Sequence, residues 1–367
     1  MIKVMTVFGT RPEAIKMAPL VKELKNRDEI ECIVCVTAQH REMLDQVLET
    51  FEITPDYDLN IMKQGQTLGD VTTRALNGLE GVIRDVKPDI VLVHGDTTTT
   101  FAGALAAFYN QVAIGHVEAG LRTWNMYSPY PEEANRQMVG IIANMHFSPT
   151  KTSADNLINE GKNKDDIFIT GNTVIDAMSY TVNDNYSHEV LDWVGDNRMI
   201  LLTAHRRENL GEPMRRIFKA IKRIVNEFND VKVVYPIHMN PKVREVANEV
   251  FGDSDKVKLI EPLEVLDFHN FMNKSYIILT DSGGLQEEAP SLGKPVLVLR
   301  DTTERPEGID AGTLKLVGTN EELIYEETKL LLEDKNVYQK MSEAHNPYGD
   351  GLASKRITDE IIKRFKK

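Results

Sequence analysis

Short apolar runs alternate with longer amphipathic segments along almost the whole chain. In the first half the runs at 3–8, 32–37, 90–93, 112–117, 146–148 and 167–170 read as buried strands. The second half repeats the pattern at 199–203, 232–236, 257–260, 276–280, 296–299 and 313–317. Between them, stretches such as 14–26, 214–228 and 321–332 carry apolar residues at helical spacing. Strand–helix alternation of this kind predicts parallel sheets covered by helices on both faces. Two such series predict two doubly wound domains, with a seam near 175–198, where periodicity is weak. No short repeat or low-complexity segment interrupts the pattern. In open α/β sheets, ligands bind beyond the carboxyl ends of the strands. Two facing domains would place one ligand cleft between them, with the chemistry in the turns that follow strands.

Those turns are where the polar motifs fall. The first strand runs into "FGTRPEAIKMAPL" (8–20), a strand-to-helix turn without the glycine fingerprint of a dinucleotide site. Thr10 and Glu13 have capping-box spacing and Pro12 suits a first helical turn, so all three are explained by starting a helix. Arg11 and, one turn on, Lys16 are not, and they mark a place for an anion near a helix N-terminus. "HGDTTTT" (94–100) puts Asp96 at a second strand end, either as a helix cap or as a functional carboxylate. In "GHVEAGLRTWNMYSPYPEEANRQM" (115–138), Glu118 stands at a third, bracketed by His116 and Arg122. Glu132, Glu133 and Arg136 follow on a new helix, where Glu132 and Arg136 have the spacing of an ion pair. A carboxylate in such a cleft is costly unless it serves something. Asp96, Glu118 and Glu132 together suit proton transfer at a neutral centre. A metal site is the rival, but no recognised ligand spacing is present, so no metal is expected.

The second half offers groups for phosphate. His205, Arg206 and Arg207 form a cationic cluster after a strand, fit to grip a phosphate or diphosphate. In "TDSGGLQEEAPSLGKPVLVLRDTTERPE" (280–307), Asp281 ends a strand and Ser282, Gly283 and Gly284 open what reads as a helix, with amides for a phosphate. Glu288, a turn further in, is placed to accept from ribose hydroxyls. Arg300 and Arg305 follow the next strand. These residues outline a nucleoside diphosphate site in the second domain.

Charge and composition narrow the picture. A net charge of −13 argues against a general nucleic-acid or membrane-surface binder. No apolar run approaches the roughly 18 residues of a membrane helix, and no signal segment opens the chain, so the cytoplasm is expected. The two cysteines, Cys32 and Cys35, sit in one strand run, where residues three apart face opposite ways. They are expected to be buried thiols rather than a redox or zinc pair.

Taken with "AHRREN" (204–209) and "AHNPYGDG" (344–351), these motifs cover nearly the whole chain in order, and it closely resembles the bacterial UDP-N-acetylglucosamine 2-epimerases of the non-hydrolysing type. The resemblance implies two Rossmann-like domains facing a cleft in the GT-B manner. The expected domains are 1–175 and 176–350, with a C-terminal helix at 351–367 crossing back to the first. It implies a homodimer that interconverts UDP-GlcNAc and UDP-ManNAc for cell-surface polysaccharide, without metal or nicotinamide. The implied route eliminates UDP to give 2-acetamidoglucal and then adds it back. Arg11, Lys16, His205 and Arg305 would hold the diphosphate, Ser282, Gly283 and Gly284 a phosphate, Glu288 the ribose and Phe268 the uracil. Asp96, Glu118 and Glu132 carry over as acid/base carboxylates, with His205 also in the catalytic set. Some members of the family bind a second UDP-GlcNAc as an activator. Gln39, His40, Glu42, Arg206 and His238 match parts of that pocket, but Glu42 and Gly65 stand where glutamine and arginine are expected. A hydrolysing epimerase, a GT-B glycosyltransferase using a UDP-sugar, and a nucleotide-sugar-binding regulator are the competing readings.

Overall fold

The computed structural model describes residues 1–39, 41–252 and 254–366. The chain divides into two compact units, one made of residues 1–180 with the C-terminal segment from Tyr348, the other of 181–347. The first is built on strands β1 (Ile2–Phe8), β2 (Ile30–Val36), β3 (Tyr57–Asp58), β4 (Ile90–His94), β5 (Ala113–Val117), β6 (Met145–Ser148) and β7 (Ile167–Ile169). They form one sheet of order β3-β2-β1-β4-β5-β6-β7, in which every pair is parallel. The second unit carries β8 (Arg198–Thr203), β9 (Val231–Pro236), β10 (Val257–Ile260), β11 (Ile277–Thr280), β12 (Val296–Val298) and β13 (Leu314–Leu316). Their order is β10-β9-β8-β11-β12-β13, again all parallel. Both sheets reverse direction of growth once, at β1/β4 and at β8/β11. Those are the topological switch points where the crossover helices leave a crevice at the strand ends.

Burial explains why the apolar runs became strands. All five residues of β4 are buried, as are six of the seven in β1, because helices cover both faces. In the second unit the helix Glu212–Glu227 buries Met214, Ile217, Phe218, Ile221, Ile224 and Val225, spaced three and four apart. This stripe packs on Ile200, Leu202, Val233 and Tyr235 of the sheet. Each such side chain removed from water stabilises the fold by about 1.5–3 kcal/mol.

Three local features depart from or refine the sequence reading. Tyr57–Asp58 adds a strand too short to show any periodicity, paired with Cys35–Val36. The weakly periodic stretch near 175–198 is partly helical, with helices Thr173–Thr181 and Glu189–Val194. Cys32 and Cys35 are both free thiols in β2, and burial pushes each up to about 12.

The C-terminal helix Ala353–Phe365 belongs to the first unit, and its N-terminus is fixed by a buried carboxylate. Asp176 accepts from the N–H groups of Ala353 (3.0 Å) and Ser354 (2.8 Å) and from the Ser354 hydroxyl (3.0 Å). Just before it, the backbone N–H of Asn172 donates to Tyr348 O at 2.7 Å. A Cβ on Gly171 would lie 3.1 Å from the Cα of Gly349, so this crossing needs two glycines. Among the described residues, no helix is long and apolar enough to cross a membrane.

Candidate active site

The first unit gathers its charged groups at the β1/β4 switch point. After β1, the turn Gly9-Thr10 starts the helix Arg11–Lys25, and Glu13 closes it by accepting from the Thr10 N–H at 2.8 Å. Arg11 then lines a cavity of about 530 Å³ together with Asp96, Glu132 and Asn135. One turn along, Lys16 points its ammonium at the Glu118 carboxylate.

After β4 the chain turns at Gly95, whose φ of 67° suits a glycine. Thr97, not Asp96, caps the next helix, its hydroxyl accepting from the Thr100 N–H at 3.1 Å. The cap reading of Asp96 is therefore overturned, and its carboxylate faces the cavity. Asn135 Nδ2 holds the Asp96 carbonyl at 2.9 Å, and Arg136 Nη1 lies 3.5 Å from its carboxylate. Burial pushes the Asp96 carboxyl above the usual range; Arg136 pulls it down, and the Glu118 and Glu132 charges push it up again. The three carboxylates named from the sequence thus feel one another.

Glu118 follows β5 with a φ of 62°, a left-handed backbone uncommon for a residue with a side chain. Such a conformation costs on the order of 1–3 kcal/mol and persists where surrounding contacts impose it. The contacts are Lys16, the Asn172 side chain (Nδ2 to Oε2, 3.0 Å) and the buried His94 (Nε2 to Oε2, 3.6 Å). Glu132 opens the helix Glu132–Ile142 with a buried Oε2 that has no hydrogen-bond partner among the described residues. The expected pairing of Glu132 with Arg136 gives way to another: Arg136 turns to Glu133 (3.3 Å) and to Asp96. Glu133 is fully buried and accepts the N–H groups of Thr123 (3.0 Å) and Trp124 (3.2 Å), which fixes the loop ahead of the helix.

The second unit builds around Asp281, fully buried at the end of β11. Its carboxylate accepts from the N–H of His205 (2.8 Å), the N–H of Arg206 (2.9 Å) and the amide of Asn209 (3.1 Å). Arg206 Nε donates to the Asp281 carbonyl at 2.8 Å, so this arginine buttresses the turn. The His205 ring stacks on His238 at 5.4 Å, and burial lowers its pKa. His205, His238, Phe268, Ser282, Leu285 and Pro262 line a cavity of about 230 Å³ whose walls are largely apolar, a shape suited to a planar ring.

The turn Ser282-Gly283-Gly284 departs from the expected helix N-terminus. Only one α turn follows, Leu285–Glu288, and it passes into a 3₁₀ turn at Ala289–Leu292, where Pro290 breaks the helical ladder. A helix dipole adds little here; the positive charge comes from Arg305. A Cβ on Gly283 would lie 3.3 Å from Arg305 Nη1, so the guanidinium rests on bare backbone, steered by Glu287 (Nε to Oε1, 2.8 Å). Glu288 lies 3.7 Å from His269 Nε2, and His269 Nδ1 is 2.7 Å from the Thr181 hydroxyl. Arg300, by contrast, is buried and held by Glu304 at 2.7 and 3.1 Å, a structural pair that pulls Glu304 down to about 2.

Two switch points, one crowded with carboxylates and the other with a ring-sized cavity beside a guanidinium, agree with what comparison of the whole chain gives. The sequence model of the UDP-N-acetylglucosamine 2-epimerase family matches residues 22–362. The chain belongs to the UDP-N-acetylglucosamine 2-epimerases, a family of enzymes.

The UDP-N-acetylglucosamine 2-epimerase of Bacillus subtilis is 70% identical over 361 residues, 98% of this chain and 95% of that protein. A crystal structure of a putative UDP-N-acetylglucosamine 2-epimerase from Listeria monocytogenes is 59% identical, with a TM-score of 0.96 over 100% of this chain and 97% of that one. The UDP-GlcNAc 2-epimerase of Neisseria meningitidis, bound to UDP-GlcNAc, is 51% identical with a TM-score of 0.87, covering 99% of this chain and 100% of that one.

The residues matched to the activator pocket of this epimerase family are spread over both units. Gln39 lines the first unit's cavity and accepts from the Thr99 hydroxyl at 3.1 Å. Glu42 is exposed on the helix Arg41–Thr50, and His40 lies outside the described residues. Arg206 and His238 stand in the second unit. Sequence reasoning missed Asn172 and the Asp281 anchor. Asn172 had no signal, being 54 residues from the glutamate it touches. Asp281 had one, an aspartate directly after a buried strand.

Proposed function

We propose that this enzyme interconverts UDP-GlcNAc and UDP-ManNAc, without hydrolysis, by eliminating UDP and adding it back on the other face. One carboxylate takes the C2 proton while the C1–O bond breaks and its electron pair leaves with the diphosphate, giving 2-acetamidoglucal and UDP. Re-addition returns a proton to C2 with inverted configuration and re-forms the C1–O bond. The observation that carries this reading is the cluster of Asp96, Glu118 and Glu132 beside Arg11 and Lys16 at one switch point. Such a set supplies acid and base to carbon while cations meet a departing diphosphate. The second unit takes the nucleotide: uracil against Phe268, ribose on Glu288, phosphate at Ser282, Gly283, Gly284, His205 and Arg305. The UDP-GlcNAc bound by the Neisseria meningitidis relative supports a nucleotide sugar as substrate.

The family resemblance supports a cytoplasmic homodimer serving cell-surface polysaccharide synthesis, with no metal or nicotinamide required. Glu42 and Gly65 speak against an activating second UDP-GlcNAc. The test is incubation with UDP-GlcNAc alone in deuterated water, read by NMR. Both epimers carrying deuterium at C2 are expected. Turnover without deuterium sinks the elimination route, free ManNAc with UDP as the product assigns hydrolysis instead, and a need for an acceptor assigns glycosyl transfer.

A further inference from the structure

Glu13 reaches further than capping a helix requires. Its Oε2 accepts from the N–H groups of Gly9 (3.1 Å) and Thr10 (2.8 Å) and from the Thr10 hydroxyl (2.8 Å), all in the turn after β1. Its Oε1 lies 2.7 Å from the Thr97 hydroxyl and 3.1 Å from that of Thr100, in the turn after β4. These two turns flank the switch point of the sheet, and each carries a proposed functional residue beside the contact. Arg11 is next to Thr10, and Asp96 is next to Thr97. The side chain is buried, where a carboxyl group is costly unless fully hydrogen-bonded. The surroundings leave the turns no slack: a Cβ on Gly9 would lie 1.9 Å from Thr37 Oγ1 and 2.7 Å from Thr99 Oγ1, and the Thr100 hydroxyl also reaches the His94 carbonyl at 2.5 Å.

We infer that Glu13 is a positioning residue, a clamp between the β1 and β4 turns that sets Arg11 and Asp96 at the separation the reaction needs. The inference rests on the epimerase reading above, in which Arg11 meets the diphosphate and Asp96 works at the reacting carbons. Elimination needs both in place at once, and a misplacement of about 1 Å is enough to cost about 100-fold in rate. The clamp works by reach rather than by charge. Its Oε2 side faces backbone N–H groups, which only donate, whereas its Oε1 side faces hydroxyls, which can turn to accept. A glutamine therefore fits, with its carbonyl on Gly9 and Thr10 and its NH₂ donating to Thr97 and Thr100. An alanine releases both turns.

The experiment compares wild type, Glu13→Ala, Glu13→Gln and Thr100→Val by steady-state kinetics on UDP-GlcNAc, UDP titration calorimetry and thermal melting. Glu13→Ala is expected to lower kcat by about 100-fold while KM and UDP affinity stay within about threefold. Glu13→Gln restores kcat to within about tenfold of wild type, and Thr100→Val falls between the two. A Glu13→Ala enzyme with wild-type kcat, a Glu13→Gln as damaged as the alanine, or a kcat loss matching only the fraction that no longer binds UDP overturns the clamp. Should Glu13→Ala not fold, Thr100→Val with unchanged kcat overturns it instead. If wild type itself does not epimerise, the proposed function fails separately. Crystal structures of wild type and Glu13→Gln and Glu13→Ala then decide the clamp, which an unchanged spacing of Gly9 and Thr97 in the alanine variant overturns.

Discussion

Lys16, on the first helix, closes an ion pair onto Glu118, which stands 102 residues later in a left-handed backbone at the end of β5. Both side chains are largely out of solvent, so each leaves the other poorly solvated when removed. Lys16→Gln and Glu118→Gln are each expected to lower kcat by at least about 10²-fold, the scale of a lost acid/base group. Because the two act as one unit, the double variant should lose little more than the worse single. A double variant whose loss is the product of the two singles would show that they work independently.

Asp96 carries a cost in stability that its chemistry explains. Burial raises its pKa in the folded protein above that of the unfolded chain, so ionisation at neutral pH opposes folding. Asp96→Asn is therefore expected to melt no lower than wild type while kcat falls by at least about 10²-fold. For the same reason, any step needing ionised Asp96 should fail on acidification at a pH above the ordinary aspartate value of about 3.9. A clear drop in melting temperature for Asp96→Asn would show that its contact with Arg136 outweighs burial.

On the nucleotide side, Arg305 offers a planar fork over Gly283, and lysine keeps the charge but not the fork. Arg305→Lys should weaken UDP binding by about 10- to 100-fold, the worth of a charge-assisted hydrogen bond. Calorimetric titration with UDP checks this, and an unchanged affinity would remove Arg305 from the phosphate site.

What was legible in the sequence follows from where each residue stands. Arg11, Asp96 and Glu118 directly follow buried apolar runs, and strand ends are where α/β sheets place ligands. The parallel sheets were legible for the same reason, since burial on both faces leaves continuous apolar runs. Arg136 was misread because i,i+4 spacing describes an isolated helix. Here Asp96, from another strand, and Glu133, one residue on from Glu132, compete for the guanidinium and win. The helix after Gly284 was overestimated because the effect of Pro290 on one turn was not weighed against the glycine pair. Asn172 was out of reach, for nothing local in "TGNTVID" points to a glutamate on another strand.

Three buried histidines, one each on β4, β5 and β6, set the acid limit of the first unit. His116 and His146 are in register, and His94 lies on the strand beside His116. Burial holds His94 down to about 4, His116 to about 3 and His146 to about 4, against about 6.5 in an unfolded chain. Between about 6.5 and 4 the unfolded chain binds protons that the folded one refuses, so stability must fall as pH falls. Each histidine contributes up to about 1.4 kcal/mol per pH unit to that slope and nothing above pH 7. The buried carboxyls Glu13, Asp96 and Asp176, whose pKa values burial raises, act with the opposite sign and soften the loss. Comparing a variant with wild type isolates one histidine. His146→Gln stands away from the carboxylate cluster, and its urea midpoints between pH 7.5 and 4.5 should decline less steeply than those of wild type, by about one proton's worth of slope. Parallel curves for the two proteins would mean that His146 takes up its proton without unfolding, and that the acid limit lies elsewhere.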